Sequence, residues 1–313
     1  MKNFLAKLKS KLDSPKWRRR LFIIAFLAYP TLHFCVFYIA VNVGSLGLAF
    51  QKTLPGTNVT YFTFENFARV FREGFGGSDP LLKEGTINAL IFFSFSFFVL
   101  QPLNIIVGYF FYKKIPGYKV FRFVFYLPAV IPTTVLATLF KYIISPESSG
   151  LLSTLFAQFG WTLPNLLGSS EYAMKTLLAY CAWTGFTGFL LSSNAMKRVP
   201  EEIIESAQLD GISAVKEVIS ILVPLIWPTI ATSMLLSVTS IFTATGPILL
   251  FTQGNFGTYT VAYWLFERVY TGTNFEYAAA AGIFYTLLGF PLITKGKWIK
   301  RERKDVTPLK TEC

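Results

Sequence analysis

"EEIIESAQLDGISAVKEVISILVP", residues 201–224, is a polar, acid-tipped stretch between two apolar runs. At 100° per residue, Glu201, Glu202 and Glu205 fall on one side of a helix and Ile203, Ile204 and Ala207 on the other. Pro200 suits a helix start, and acids in the first turn complement the helix dipole. Gly211 tolerates the positive φ of a helix terminator, and Ser213 is placed to cap a second helix. Ile212, Val215, Val218, Ile219 and Leu222 then recur at steps of three and four, giving that second helix an apolar stripe. Pro224 marks entry into the next apolar run. The stretch therefore predicts a helix–Gly–helix element. Its residues alone allow two roles: packing on its own bundle or the headgroups, or docking a partner.

Its surroundings are membrane-like. Of 313 residues, 53% are hydrophobic, 17% aromatic and only 15% charged. A soluble chain carries about a quarter charged residues. Six stretches are long and apolar enough to span a bilayer: 21–47, 87–112, 121–144, 176–196, 223–251 and 277–294. The expected fold class is an all-α polytopic membrane protein with six transmembrane helices. Residues 1–20 form a basic N-terminal segment, and residues 21–313 one transmembrane domain, its core about 86–296 and its polar loop 200–224.

Charge placement sets orientation. Lys and Arg number eight in residues 1–20, four in 113–122, three in 197–216 and seven in 295–310. The remainder of the 29 are Lys52, Arg69, Arg72, Lys83, Lys141, Lys175 and Arg268. The richer side is cytoplasmic, so both termini and the 200–224 loop are expected inside. The net charge of +12 is then a topology signal that also favours anionic lipid headgroups, and no nucleic-acid partner is expected. Phe4, Leu5, Leu8 and Leu12 alternate with Lys2, Lys7, Lys9 and Lys11, as in an interfacial helix. The apolar run after "WRRR" (17–20) exceeds the core of a cleavable signal peptide, which favours a retained anchor.

Chemistry is sparse. Cys35, Cys181 and Cys313 have no metal-like spacing, and a single histidine, His33, argues against metal-dependent or His-based catalysis. His33 is expected as a packed helix contact. A secondary transporter or channel is the rival reading, but its ion coupling calls for ionisable groups within spans, and apart from His33 these are essentially missing. No G-x-x-x-x-G-K-[ST] phosphate loop occurs.

The quoted stretch also resembles the cytoplasmic loop of ATP-binding-cassette importer permeases: E-A-A, three residues, G, nine residues, I, one residue, L-P. Here it reads Glu205-Ser206-Ala207, Gly211, Ile221 and Val223-Pro224, with every spacing kept. Ser206 and Val223 depart from the pattern, replacing Ala and Leu. "RVPEE" (198–202) and "QLDG" (208–211) resemble the carbohydrate branch. So do "FENFARVF" (64–71), residues 122–156, and "NFEYAAAAGIFY" (274–285). The layout is similar to the first permease of a maltose- or glycerol-phosphate-type pair, without the maltose protein's large extracytoplasmic insertion.

That resemblance implies a type I importer permease in a bacterial or archaeal plasma membrane. It implies as partners a second homologous permease, two cytoplasmic ATP-binding subunits and an extracytoplasmic solute-binding protein. The solute would be a sugar or oligosaccharide, with a polyol phosphate as the alternative. ATP and Mg would be held by the partner ATPases, with no cofactor, metal or catalytic residue on this chain. Glu205 and Asp210 would make polar contacts to the ATPase, with Ser206 beside them and Ala207 allowing close approach. Gly211 would set the hinge, and Ile221 and Pro224 would complete the element. Spans four to six would line the solute cavity, with Tyr180, Trp183, Thr184, Thr187, Ser237, Ser240 and Thr243 as candidates: hydroxyls for sugar hydroxyls, aromatic faces for the ring. The same Ser and Thr side chains also suit interhelical packing.

Overall fold

The computed structural model describes residues 15–54, 59–77, 79–147, 150–240, 246–272 and 274–294. The interfacial helix expected within residues 1–14 lies outside them. The chain forms two compact units, Met1–Ala68 with Asn274–Ile283, and Arg69–Thr273 with Phe284–Cys313.

In the first unit, helix α1 (Pro15–Ala49, 35 residues) is apolar and long enough to cross a membrane. Every residue from Pro15 to Leu48 is exposed. His33 is among them, and the packed contact expected for it is not seen among the described residues of this unit. Among the described residues it meets rings of its own helix, Phe37 at 4.8 Å and Tyr29 at 6.1 Å. Two short strands follow, β1 (Gln51–Thr53) and β2 (Thr60–Phe62), antiparallel with Lys52 opposite Tyr61. Phe50 stacks on Phe62 at 5.4 Å and meets Phe64 and Phe67. Buried Asn66 ties this corner down by donating to the carbonyls of Ala49 and Gln51. Helix α2 (Glu65–Gly76) continues from there.

In the second unit, α3 (Pro80–Tyr112) is the other long apolar helix. It begins before the expected residue 87 because Asp79 caps it, accepting from the amides of Leu81 and Leu82, with Pro80 in the first turn. A π-turn at Ser96–Leu100 comes just before Pro102, whose missing N–H removes one ladder bond.

The third apolar run is not one straight helix. It breaks into α4 (Tyr118–Val130) and α5 (Thr133–Ile144), bent by 110°. Pro132 is the cause: it drives Ile131 into extended backbone, at φ −78° and ψ 134°. A short helix α6 (Leu151–Gln158) leads to α7 (Ala173–Gly185) and, after a 3₁₀ turn at Phe186–Gly188, to α8 (Phe189–Met196).

Small residues let α3 and the α7–α8 rod approach closely. A methyl on Gly108 would stand 2.8 Å from Ser192 Cβ, and one on Gly188 would stand 2.7 Å from Asn104 Nδ2. Neither position has room for a larger side chain. Asn104 donates to the Gly185 carbonyl across the same seam.

Beyond α8 come α9 (Glu201–Leu209) and α10 (Ala214–Leu225), then a 79° bend into α11 (Trp227–Ser240). The fifth expected span is thus bent at Ile226, ahead of Pro228, and resumes as α12 (Gly246–Phe251). The chain then turns back through a loop that Asn88 of α3 clamps by donating to the carbonyls of Gly257 and Tyr259. Helices α13 (Val261–Tyr270) and α14 (Phe275–Thr294) complete the described residues.

Candidate functional site

The quoted stretch folds as two short helices about a glycine. Helix α9 begins after Pro200 with Glu201 and Glu202 in its first turn. It ends in a Schellman turn: the Ile212 amide donates to the Ala207 carbonyl at 3.2 Å and the Gly211 amide to Gln208 at 3.0 Å. Gly211 sits at φ +75°, where a side chain is strained. Ser213 has the extended backbone of a cap residue, but its side chain makes no cap bond. Its carbonyl accepts from the Glu217 amide at 2.8 Å, the first bond of the helical ladder, so the expected side-chain cap is not made.

Helix α10 contains a π-turn, Glu217–Leu222, immediately before Pro224. The Val223 amide reaches back five residues to the Val218 carbonyl. Proline again supplies the reason, since it cannot donate to the helical ladder.

One side of this element is anchored. Ile204 and Leu222 are buried with Tyr109 of α3 and with Ala195, Met196 and Val199 at the end of α8. Val218, Ile221 and Val223 pack on the same cluster. The other side is open. Glu205, Ser206, Asp210 and Gly211 are exposed, and Ala207 is half-buried. Leu209 is 89% exposed, Val215 67% and Ile219 63%.

The apolar stripe expected along Ile212, Val215, Val218, Ile219 and Leu222 is therefore divided. The π-turn shifts the helical register, so Leu222 faces inward while Val215 and Ile219 face out. Ile203, grouped with Ile204 on the expected apolar face, is also exposed.

Residues that spacing did not reveal complete the anchor. Lys113, the residue just after α3, places its Nζ 2.7 Å from Glu217 Oε1. Its ammonium lies 5.5 Å from the Tyr109 ring centre and 5.7 Å from that of Tyr112. The sequence carried no signal for this pair: at 100° per residue Glu217 falls opposite the expected apolar stripe, and only the π-turn at Glu217–Leu222 brings it inward.

The solute candidates fall into two groups. Tyr180 and Trp183 belong to an aromatic cluster: Tyr180 meets Phe140 at 5.1 Å and Phe251 at 4.8 Å, and Trp183 stacks on Phe140 at 5.9 Å. Tyr180 is 2% exposed, and its hydroxyl has no hydrogen-bond partner among the described residues. Phe251 also lines an open pocket of about 340 Å³ with Lys141, Asn165 and Phe256.

Thr184 and Ser237 instead spend their hydroxyls on carbonyls of their own helices, Tyr180 at 3.0 Å and Ser233 at 3.1 Å. Thr187 lies half-buried in the 3₁₀ turn. The Ser240 side chain and all of Thr243 lie outside the described residues.

On the loop before α13, Tyr259 donates a short hydrogen bond to Glu267. Burial, then that carboxylate, pushes the phenol above its ordinary range, so it stays a neutral donor. No group of three metal-ligating side chains occurs among the described residues.

Apolar helices, two of them long and others bent at prolines, combined with an anchored but outward-facing helix pair define a membrane permease. The chain belongs to the family of binding-protein-dependent transport system inner membrane components, whose model matches residues 102–304. It is 24% identical over 265 residues to the arabinooligosaccharides transport system permease protein AraP of Bacillus subtilis, covering 82% of each chain. It is 25% identical to the multiple sugar-binding transport system permease protein MsmF of Streptococcus mutans, over 64% of this chain and 69% of that one. Its fold is similar to that of a bacterial ABC transporter involved in the import of the acidic polysaccharide alginate. The TM-score is 0.78 at 20% identity, covering 95% of this chain and 99% of that one. A second structure of the alginate transporter, in complex with a periplasmic protein bound to alginate pentasaccharide, gives a TM-score of 0.77 at 21% identity, over 91% of this chain and 96% of that one.

Proposed function

We propose that this chain is one half of the transmembrane pathway of an ATP-driven importer for a sugar or oligosaccharide. It crosses the membrane six times with both termini in the cytoplasm. It pairs with a second permease, receives solute from an extracytoplasmic binding protein, and is moved by two ATP-binding subunits that hold ATP and Mg. The observation that carries this reading is the two-sided loop. One face is locked into the helix bundle, while the other presents acids and bare apolar side chains around a glycine hinge. A loop that only capped its own bundle would turn Leu209, Val215 and Ile219 inward. Glu205 and Asp210 supply the polar contacts to the ATPase groove, and Ala207 permits close approach.

The solute meets the chain around Tyr180 and Trp183, where aromatic faces and a free phenol suit a sugar. The names of AraP and MsmF support a carbohydrate. The test is to isolate the chain from native membranes and to measure uptake by the recovered complex in vesicles. A second permease and a nucleotide-hydrolysing subunit are expected to co-purify. Glu205→Lys is expected to insert normally and to abolish uptake. Wild-type uptake by that variant, or solute accumulation driven by the lone chain, would defeat the reading.

A further inference from the structure

Glu217 does not belong to the family-like positions of the loop, and the proposed docking face does not use it. It is 3% exposed, at the start of the π-turn in α10, and its carboxylate meets Lys113 at 2.7 Å. The lysine is the residue that caps the end of α3 and is itself largely covered, with Tyr109 and Tyr112 against its ammonium. Tyr109 and Tyr112 belong in turn to the apolar cluster that includes Met196, Ile204 and Leu222.

A buried ion pair of this kind is a poor source of stability, because two charges must leave water to form it. Well-packed apolar side chains would hold the same helices at least as firmly. What the pair does supply is intolerance of separation. Apolar surfaces slide past one another at low cost, whereas parting these charges would strand the Glu217 carboxylate in a dry site, although Lys113 keeps some access to water. The contact spans two elements that have no peptide connection nearby: the end of the long helix α3, and the helix that follows the glycine hinge.

We propose that Lys113 and Glu217 form the joint that makes α10 move together with the loop-side end of α3. On this account the pair sets how much solute is moved per ATP. Both are positioning residues and touch neither nucleotide nor solute. The proposal rests on the ATP-coupled reading above.

The test uses the complete complex in proteoliposomes, with ATP hydrolysis and solute uptake measured together. Lys113→Met and Glu217→Gln should each assemble and hydrolyse ATP, with solute moved per ATP down about tenfold or more. Lys113→Arg keeps the positive charge and a cation against the rings, so it should retain more coupling than Lys113→Met. Lys113→Met combined with Glu217→Met fills the space with apolar atoms, so it should assemble at wild-type levels yet remain uncoupled.

Wild-type coupling in the double Met variant would reduce the pair to packing and overturn the proposal. Coupling by Lys113→Arg no better than by Lys113→Met, or wild-type coupling by Glu217→Gln, would do the same. Failure of the double variant to assemble, with Lys113→Arg still coupled, would make the pair a structural requirement and equally overturn it. A wild-type complex with no ATP-dependent uptake would instead remove the underlying functional reading.

Discussion

The hinged loop and the aromatic cluster around Tyr180 solve opposite problems with similar residues. In the loop, apolar side chains are left in the open: Leu209, Val215 and Ile219 face away from the bundle beside Glu205 and Asp210. In the cluster, a polar atom is left in the dry: the Tyr180 hydroxyl is buried among Phe140, Trp183 and Phe251. Each is a mismatch between side chain and surroundings, which the proposed function accounts for by a partner at the loop and a solute at the cluster. The Thr184 and Ser237 hydroxyls show the contrast, since both are satisfied within their own helices. Exposure and satisfaction, more than residue type, separate the surfaces that wait for something from those that do not.

The largest expected effect would break the loop. Gly211→Pro removes the amide that bonds Gln208 and demands a negative φ where +75° is found. It is expected to abolish uptake while membrane insertion, measured by protease accessibility of the termini, stays intact. Next, Val215→Asp with Ile219→Asp makes the open face hydrophilic without touching the anchored one. Pull-down of the ATPase subunit should fall by about tenfold or more, at unchanged abundance in the membrane.

Smaller effects sharpen the other region. Tyr180→Phe keeps the tilted and edge-on ring contacts and deletes only the unpartnered hydroxyl. Raised half-saturation for solute of about five- to tenfold is expected, the equivalent of one lost hydrogen bond, with thermal stability unchanged. Thr184→Val deletes a hydroxyl already satisfied locally, and uptake should remain within about twofold of wild type. If Thr184→Val had the larger effect of the two, the contrast between waiting and satisfied hydroxyls would fail.

Much of this was legible in the chain itself. Apolar length gave α1 and α3, and the spacing from Glu205 to Pro224 gave the helix–Gly–helix element, because both follow from local pattern. Breaks were less legible. Pro132 and Pro228 were visible residues, yet whether a proline bends a helix by 110°, or is absorbed by a π-turn as at Pro102, depends on the packing that surrounds it. The division of the α10 stripe was hidden for the same reason, since a π-turn changes which residues share a face. Lys113 and Glu217 are far apart in sequence and meet only when α3 and α10 are folded together. The solute candidates were legible as residue types, but only geometry distinguishes Tyr180 from Thr184.

The bare surface of α1 has a consequence of its own. From Pro15 to Leu48, none of its residues is buried by the described residues of its own unit, so folding of that unit exerts little control over the order of its apolar side chains. Shuffling residues 21–29 or 34–47 at constant composition should leave the remaining helices intact. Any penalty would be felt only by the lipid or neighbouring subunit that reads that surface.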